Sequence, residues 1–183
     1  MSPSPGWHPM VVHFPLALIM VAAALLLAAR LLRNPALAAT AATVGTWNLC
    51  LGALAAVFAS GTGLAAVLSL EVSDAARQAI SLHMKWAMFS TLASVLLAIW
   101  RGAGTAHASR PSWLFIVVLL AASAALVFTG YRGGKNVYEY GVGVKRIAAR
   151  EYDNICGSQS TRTLVMQLTV VPRQSCRASR TPG

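Results

Sequence analysis

The residues of this chain best equipped for chemistry are its histidines. His13 and His83 stand about one turn inside two long apolar runs. His8 precedes Pro9 at the start of the first run, and His107 lies between the run that holds His83 and the last run. An ionisable side chain in hydrocarbon is costly, so each one asks for a reason. Two neutral imidazoles on separate helices can bind haem iron from both faces. They can also hold Cu, Zn or Fe with a third group. His13 and His83 are therefore the candidate ligands, for haem b or for a metal ion, with His8 beside them. A structural reading stands next to this one. The same rings could hydrogen-bond to each other, to backbone carbonyls or to a neighbouring subunit, or meet lipid headgroups. For His8 alone the headgroup reading is preferred, and His107 reads as a solvated loop residue.

Other chemistries lack their residues. The chain has no Gly-x-Ser-x-Gly, no P-loop and no His-Glu-x-x-His. No carboxylate falls inside an apolar run, so a proton relay or cation pump of the usual kind is missing its groups. No Cys-x-x-Cys-His is present to attach a c-type haem. Cys50 reads as a small hydrophobe within an apolar run. Cys156 and Cys176 could pair in an oxidising compartment. An electron-transfer or accessory subunit fits this inventory better than a stand-alone enzyme.

The elements that must position the histidines follow from composition. Of 183 residues, 56% are hydrophobic and 11% charged, against roughly 25% charged in a soluble domain. Mean hydropathy is +0.60. This excludes a soluble nucleic-acid-binding protein despite the net charge of +10, because membrane proteins collect Lys and Arg at their boundaries. A spanning helix needs about 20 apolar residues. Runs at 10–29, 44–67, 80–100 and 112–130 qualify. Short connections predict antiparallel neighbours, hence an all-α, integral membrane four-helix bundle over residues 1–144. Tyr131-Arg132-Gly133-Gly134-Lys135 is expected to break the last helix.

Residues 145–183 carry seven basic and two acidic residues. They read as a weakly ordered basic C-terminal tail with one strand-like stretch at 164–171. Docking to anionic lipid or an acidic partner is the functional reading of that tail, and a solvated extension is preferred.

Antiparallel packing puts both span histidines at one end and at similar depth, facing or diagonal across the bundle. Trp47, Trp100 and Trp113 mark the opposite end, with Arg30, Arg33, Arg101 and Arg110. Those two Arg-rich loops are expected in the cytoplasm and both termini outside. The start carries no Lys or Arg before the first run, so that run is expected to remain as an anchor.

Helical spacing then assigns faces. His83, Ala87, Ser90 and Ser94 form one stripe. His13, Ala17, Met20, Ala24 and Ala28 form a second, and Gly45, Gly52, Ala56, Ala59 and Gly63 a third. Small residues permit close helix approach, so His13 and His83 are both expected to face the interior. Pro15 is expected to kink the first helix. Gly61-Thr62-Gly63 and Gly133-Gly134 either admit a cofactor edge or cap helices, and capping is preferred. Arg132, Lys135 and Lys85 lie on the histidine side and could neutralise haem propionates. Lys85 could instead pair with Glu71 or Asp74, or snorkel to headgroups, which is the default.

The run His8-Pro9-Met10-Val11-Val12-His13-Phe14-Pro15-Leu16-Ala17-Leu18 resembles the opening motif of the DUF2231 family of small bacterial membrane proteins. The His83 region, Gly133-Gly134-Lys135-Asn136-Val137-Tyr138 and Gly141-Val142-Gly143-Val144 resemble it more loosely. The resemblance covers about residues 7–144 and implies a multi-pass, four-helix bacterial inner-membrane domain, similar in layout to small b-type cytochrome domains. It singles out His8, His13, His83, Gly133 and Gly134. Together these readings predict a haem b protein that moves electrons between a quinone or membrane partner and an extracytoplasmic redox protein. The alternative is a structural or assembly subunit with no cofactor of its own.

Overall fold

A computed structural model describes residues 7–68, 74–102 and 109–142. Five helices occupy them: α1 (Trp7–Val11), α2 (His13–Leu31), α3 (Pro35–Leu68), α4 (Asp74–Gly102) and α5 (Trp113–Tyr140). There is no strand among the described residues. Four helical stretches are long and apolar enough to cross a membrane: Trp7–Leu31, Pro35–Leu68, Ala76–Gly102 and Trp113–Tyr140. The all-helical, four-span architecture is the one that composition required.

The helices pack in a ring. α2 lies against α3, α3 against α4, α4 against α5, and α5 closes on α2. Helices α2 and α4 are therefore diagonal. The α2–α3 pairing is the most extensive, and glycine explains why. A Cβ on Gly45 would stand 2.8 Å from Leu26 Cγ, and one on Gly52 would stand 2.7 Å from Ile19 Cγ1. The missing side chains let the two helices close on each other. Leu26, Leu49, Ile116 and Leu119 fill the interior. Large apolar residues such as Phe58, Leu92 and Val117 face outward, as a lipid-facing surface requires.

Three boundaries differ from those the sequence suggested. The first span is interrupted at Val12, so α1 and α2 are separate. Pro15 has no N–H to offer the Val11 carbonyl, and its ring crowds that carbonyl. The second helix starts nine residues before the predicted position 44. Asn34 caps it, its Oδ1 accepting the N–H groups of Ala36 and Leu37 at 3.0 and 3.2 Å, with Pro35 pre-set for the first turn. At 34 residues and about 1.5 Å each, α3 is about 51 Å long and outreaches a hydrocarbon core of about 30 Å.

The fourth helix does not break at Tyr131–Lys135. It runs through Gly133 and Gly134 to Tyr140 and ends at Gly141, whose φ of 61° is the left-handed conformation glycine favours. Burial of Asn136 and a Lys135–Glu139 ion pair at 3.4 Å help hold this last stretch. Tertiary contact outweighs the weak helix preference of glycine, about 1 kcal/mol per residue.

At the Arg-rich end, side chains tie the helix ends together. The Arg101 Nε–H donates to Thr46 Oγ1 at 3.1 Å, and Arg110 donates to the Leu32 carbonyl at 2.8 Å. The Arg30 guanidinium lies 5.1 Å from the Trp113 ring centroid. Trp47 stands well inside α3, but its neighbour Thr46 meets Arg101, so Trp47 is level with the end of α4. The predicted tail at 145–183, with Cys156, Cys176 and the strand-like stretch, lies outside the described residues, as do His107 and Glu71.

Candidate functional site

At the other end of the bundle, α1, α3, α4 and α5 line a half-open cavity of about 370 Å³. His8, Ser60, His83 and Asn136 are the polar residues lining it, and the rest of its wall is apolar or glycine. His8 comes from α1 and His83 from α4. Both rings line this one cavity.

Each ring rests against a glycine of the adjacent helix. A Cβ on Gly63 of α3 would stand 2.8 Å from His8 Cε1. One on Gly133 of α5 would stand 3.1 Å from His83 Cε1. Neither glycine caps a helix, contrary to the preferred sequence reading. Both glycines lie within helical stretches, where they make room for an imidazole. Gly134 has no such neighbour within 4 Å.

Hydrogen bonding fixes the ring tautomers. His83 Nδ1 lies 3.1 Å from the Thr129 carbonyl. A carbonyl only accepts, so Nδ1 carries the proton and the neutral ring keeps its Nε2 lone pair. His8 Nδ1 lies 3.2 Å from Thr62 Oγ1. The Thr62 hydroxyl donates to the Ala59 carbonyl at 2.8 Å, which leaves its oxygen to accept from the imidazole. His8 is therefore also protonated at Nδ1. Two rings held through Nδ1–H, each with Nε2 available, match the way proteins orient histidine ligands. Deeper in the bundle, Ser90 Oγ and Thr129 Oγ1 join α4 to α5 at 3.2 Å, and Ser60 Oγ and Thr91 Oγ1 join α3 to α4 at 2.8 Å.

His13 is not part of this arrangement. It is exposed on α2, and its Nδ1 donates to the Pro9 carbonyl at 2.7 Å. The stripe His13, Ala17, Met20, Ala24 and Ala28 was expected to face inward. Its first four residues are exposed and Ala28 is half-buried, and the buried face is Pro15, Ile19, Ala22, Ala23, Leu26 and Ala29. An almost wholly apolar helix carries no contrast between a core side and a lipid side, so small-residue spacing picked the wrong one. The stripes on α3 and α4 were assigned correctly: Gly45, Gly52, Ala56 and Ala59 are buried, as are Ser90 and Ser94.

The basic residues separate. Lys85 is exposed. Lys135 pairs with Glu139. Arg132 lies within electrostatic reach of His83, and its buried Nε has no hydrogen-bond partner. Among the described residues no cluster of three or more His, Cys, Asp or Glu could hold a metal ion. A metal held by histidine here would have two protein ligands.

Sequence reasoning undervalued His8 and missed Thr62, Thr129 and Asn136. Signals for them existed. His8, Pro15, Ile19, Ala22, Leu26 and Ala29 step by 7, 4, 3, 4 and 3, a single helical face. Thr129, Gly133 and Asn136 step by 4 and 3 along α5.

A family profile described as a predicted membrane protein (DUF2231) matches residues 5–146. No curated protein and no solved structure matches the chain.

Proposed function

Since the chain belongs to the DUF2231 family of predicted membrane proteins, its apolar helices are read in a bilayer, and we propose that it is a bacterial inner-membrane subunit binding haem b between His8 and His83. It would carry electrons between a quinone or membrane partner and an extracytoplasmic redox protein. The observation that supports this most is the pair of Nδ1-protonated imidazoles, on the separate helices α1 and α4, lining one apolar cavity. Haem b, when bound, supplies a one-electron couple whose potential depends on its axial ligands and burial. His8 and His83 would hold the group through Nε2. The Thr62 hydroxyl and the Thr129 carbonyl hold the rings in the required tautomer. Arg132, with its unpartnered Nε, would face an anionic edge. The ligand pair differs from the one suggested by sequence, because His8 takes the place of His13.

Orientation follows from charge. The connections bearing Arg30, Arg33, Arg101 and Arg110 would lie in the cytoplasm. Both termini, and the histidine end with them, would then be extracytoplasmic.

The test is a pair of visible spectra, oxidised and dithionite-reduced, on protein expressed with haem supply and purified in mild detergent. A Soret band with sharp reduced α and β bands, lost in His8→Ala and His83→Ala, is the expected result. A well-folded, colourless protein overturns the haem assignment, and elemental analysis then reads Cu or Zn.

A second reading, a structural or assembly subunit, draws support from the outward face of α2. Ala17, Met20 and Ala24 form a surface that a partner helix could cover. In that case His8→Ala and His83→Ala lower stability or assembly with no spectral consequence. Intact assembly in both variants counts against it.

A further inference from the structure

A histidine exposed on a spanning helix still needs a reason, and the interruption at Val12 supplies one. In an unbroken helix the Pro9 carbonyl would accept the main-chain N–H of residue 13. Here it accepts the ring Nδ1–H of that same residue, at 2.7 Å. Just beyond, Pro15 removes the donor that residue 11 would use. α1 is only five residues long, so it cannot persist as a helix by itself. Its attachments among the described residues include the Val12 N–H to His8 carbonyl bond at 3.1 Å, the His13 ring, and the contact of His8 with Thr62 and Gly63.

We propose that His13 is a positioning residue. Its ring replaces the lost helical bond across the break and holds α1 at the angle that delivers His8 to the cavity. This assigns a role to a side chain that does not itself line the cavity and meets its wall only at the Pro9 carbonyl. It rests on the His8–His83 site for its consequence, and on hydrogen-bond geometry for its own argument. An N–H donor at position 13 that reaches the carbonyl four residues back should do the same work. The protein uses that geometry elsewhere: Asn48 Nδ2 donates to the Val44 carbonyl at 2.9 Å.

The experiment measures how fast each histidine reacts with diethylpyrocarbonate, followed by mass spectrometry on the full chain in detergent without added haem. The reagent attacks accessible, unprotonated ring nitrogen. In the parent protein His8 reacts slowly, its ring tucked against Gly63. His13→Ala is expected to raise the His8 rate about fivefold, the shift that loss of one hydrogen bond produces, while His83 keeps its rate. His13→Asn is expected to restore slow reaction. An unchanged His8 rate in His13→Ala overturns the proposal. So does a matching rise at His83, which would mean general loosening, or failure of His13→Asn to restore protection. A second measurement uses haem-supplied protein. There His13→Ala keeps a Soret band but loses low-spin character, and His13→Asn recovers it. A colourless parent protein removes the haem reading and leaves the reactivity result to decide the role of His13.

Discussion

Gly133 and His83 are in direct contact across the α4–α5 interface: a Cβ on the glycine would stand 3.1 Å from the ring Cε1. The same relationship, tighter by 0.3 Å, joins Gly63 of α3 to His8 of α1. The two pairs frame one cavity. Each imidazole is thus gripped on one side by backbone and on another by a hydrogen bond through Nδ1.

Substituting these glycines should separate contact from helix preference. Gly63→Ala places a methyl group 2.8 Å from His8 Cε1, so the ring must move. A cost of about 1–3 kcal/mol is expected from overpacking. Gly133→Ala, at 3.1 Å, should cost less. Gly134→Ala meets nothing within 4 Å and should stabilise α5 by up to about 1 kcal/mol. Thermal unfolding followed by circular dichroism in detergent reads the order. Equal melting temperatures for Gly63→Ala and Gly134→Ala would contradict the packing.

The α2–α3 interface should be equally selective. Gly45→Ala and Gly52→Ala drive a methyl group toward Leu26 and Ile19 at 2.8 and 2.7 Å. Both should lower stability by about 1–3 kcal/mol. Gly61→Ala, on the same helix with no neighbour within 4 Å, should be neutral or stabilising. Denaturant unfolding in mixed micelles checks this, and a loss for Gly61→Ala as large as for Gly52→Ala would refute it.

Thr129 offers His83 its main-chain carbonyl, not its hydroxyl. Thr129→Val should therefore leave the His83 tautomer intact. It removes the Ser90–Thr129 hydroxyl contact, a loss of about 0.6 kcal/mol as such membrane contacts average, together with the bond from the Thr129 hydroxyl to the Ala125 carbonyl within α5. Nitrogen chemical shifts of specifically labelled histidine would show Nδ1 still protonated at His83. A change of tautomer in this variant would place the acceptor wrongly.

The proposed orientation has a direct reading in cells. In a background with the native cysteines replaced, a membrane-impermeant maleimide should label Tyr138→Cys from outside. It should leave Ser109→Cys unlabelled until the membrane is opened. The reverse pattern would put the histidine cavity on the cytoplasmic side.

The amino-acid sequence by itself determined the membrane class, the number of spans and the end at which His8, His13 and His83 gather. Composition demands lipid, and antiparallel connection then sorts residues by depth. It also carried the inward faces of α3 and α4, because glycine and serine mark them. The rotation of α2 was decided only in the tertiary structure. Lipid and helix partner are equally apolar, so hydrophobicity gives no phase to such a helix. His13 therefore read as an inward residue, although the Val12 break and the packing of Ile19 and Leu26 on α3 bring His8 inside. The length of α5 was hidden for a related reason. Glycine pairs read as helix ends by local preference, and the contact of Gly133 with a ring on another helix is written nowhere nearby in the chain.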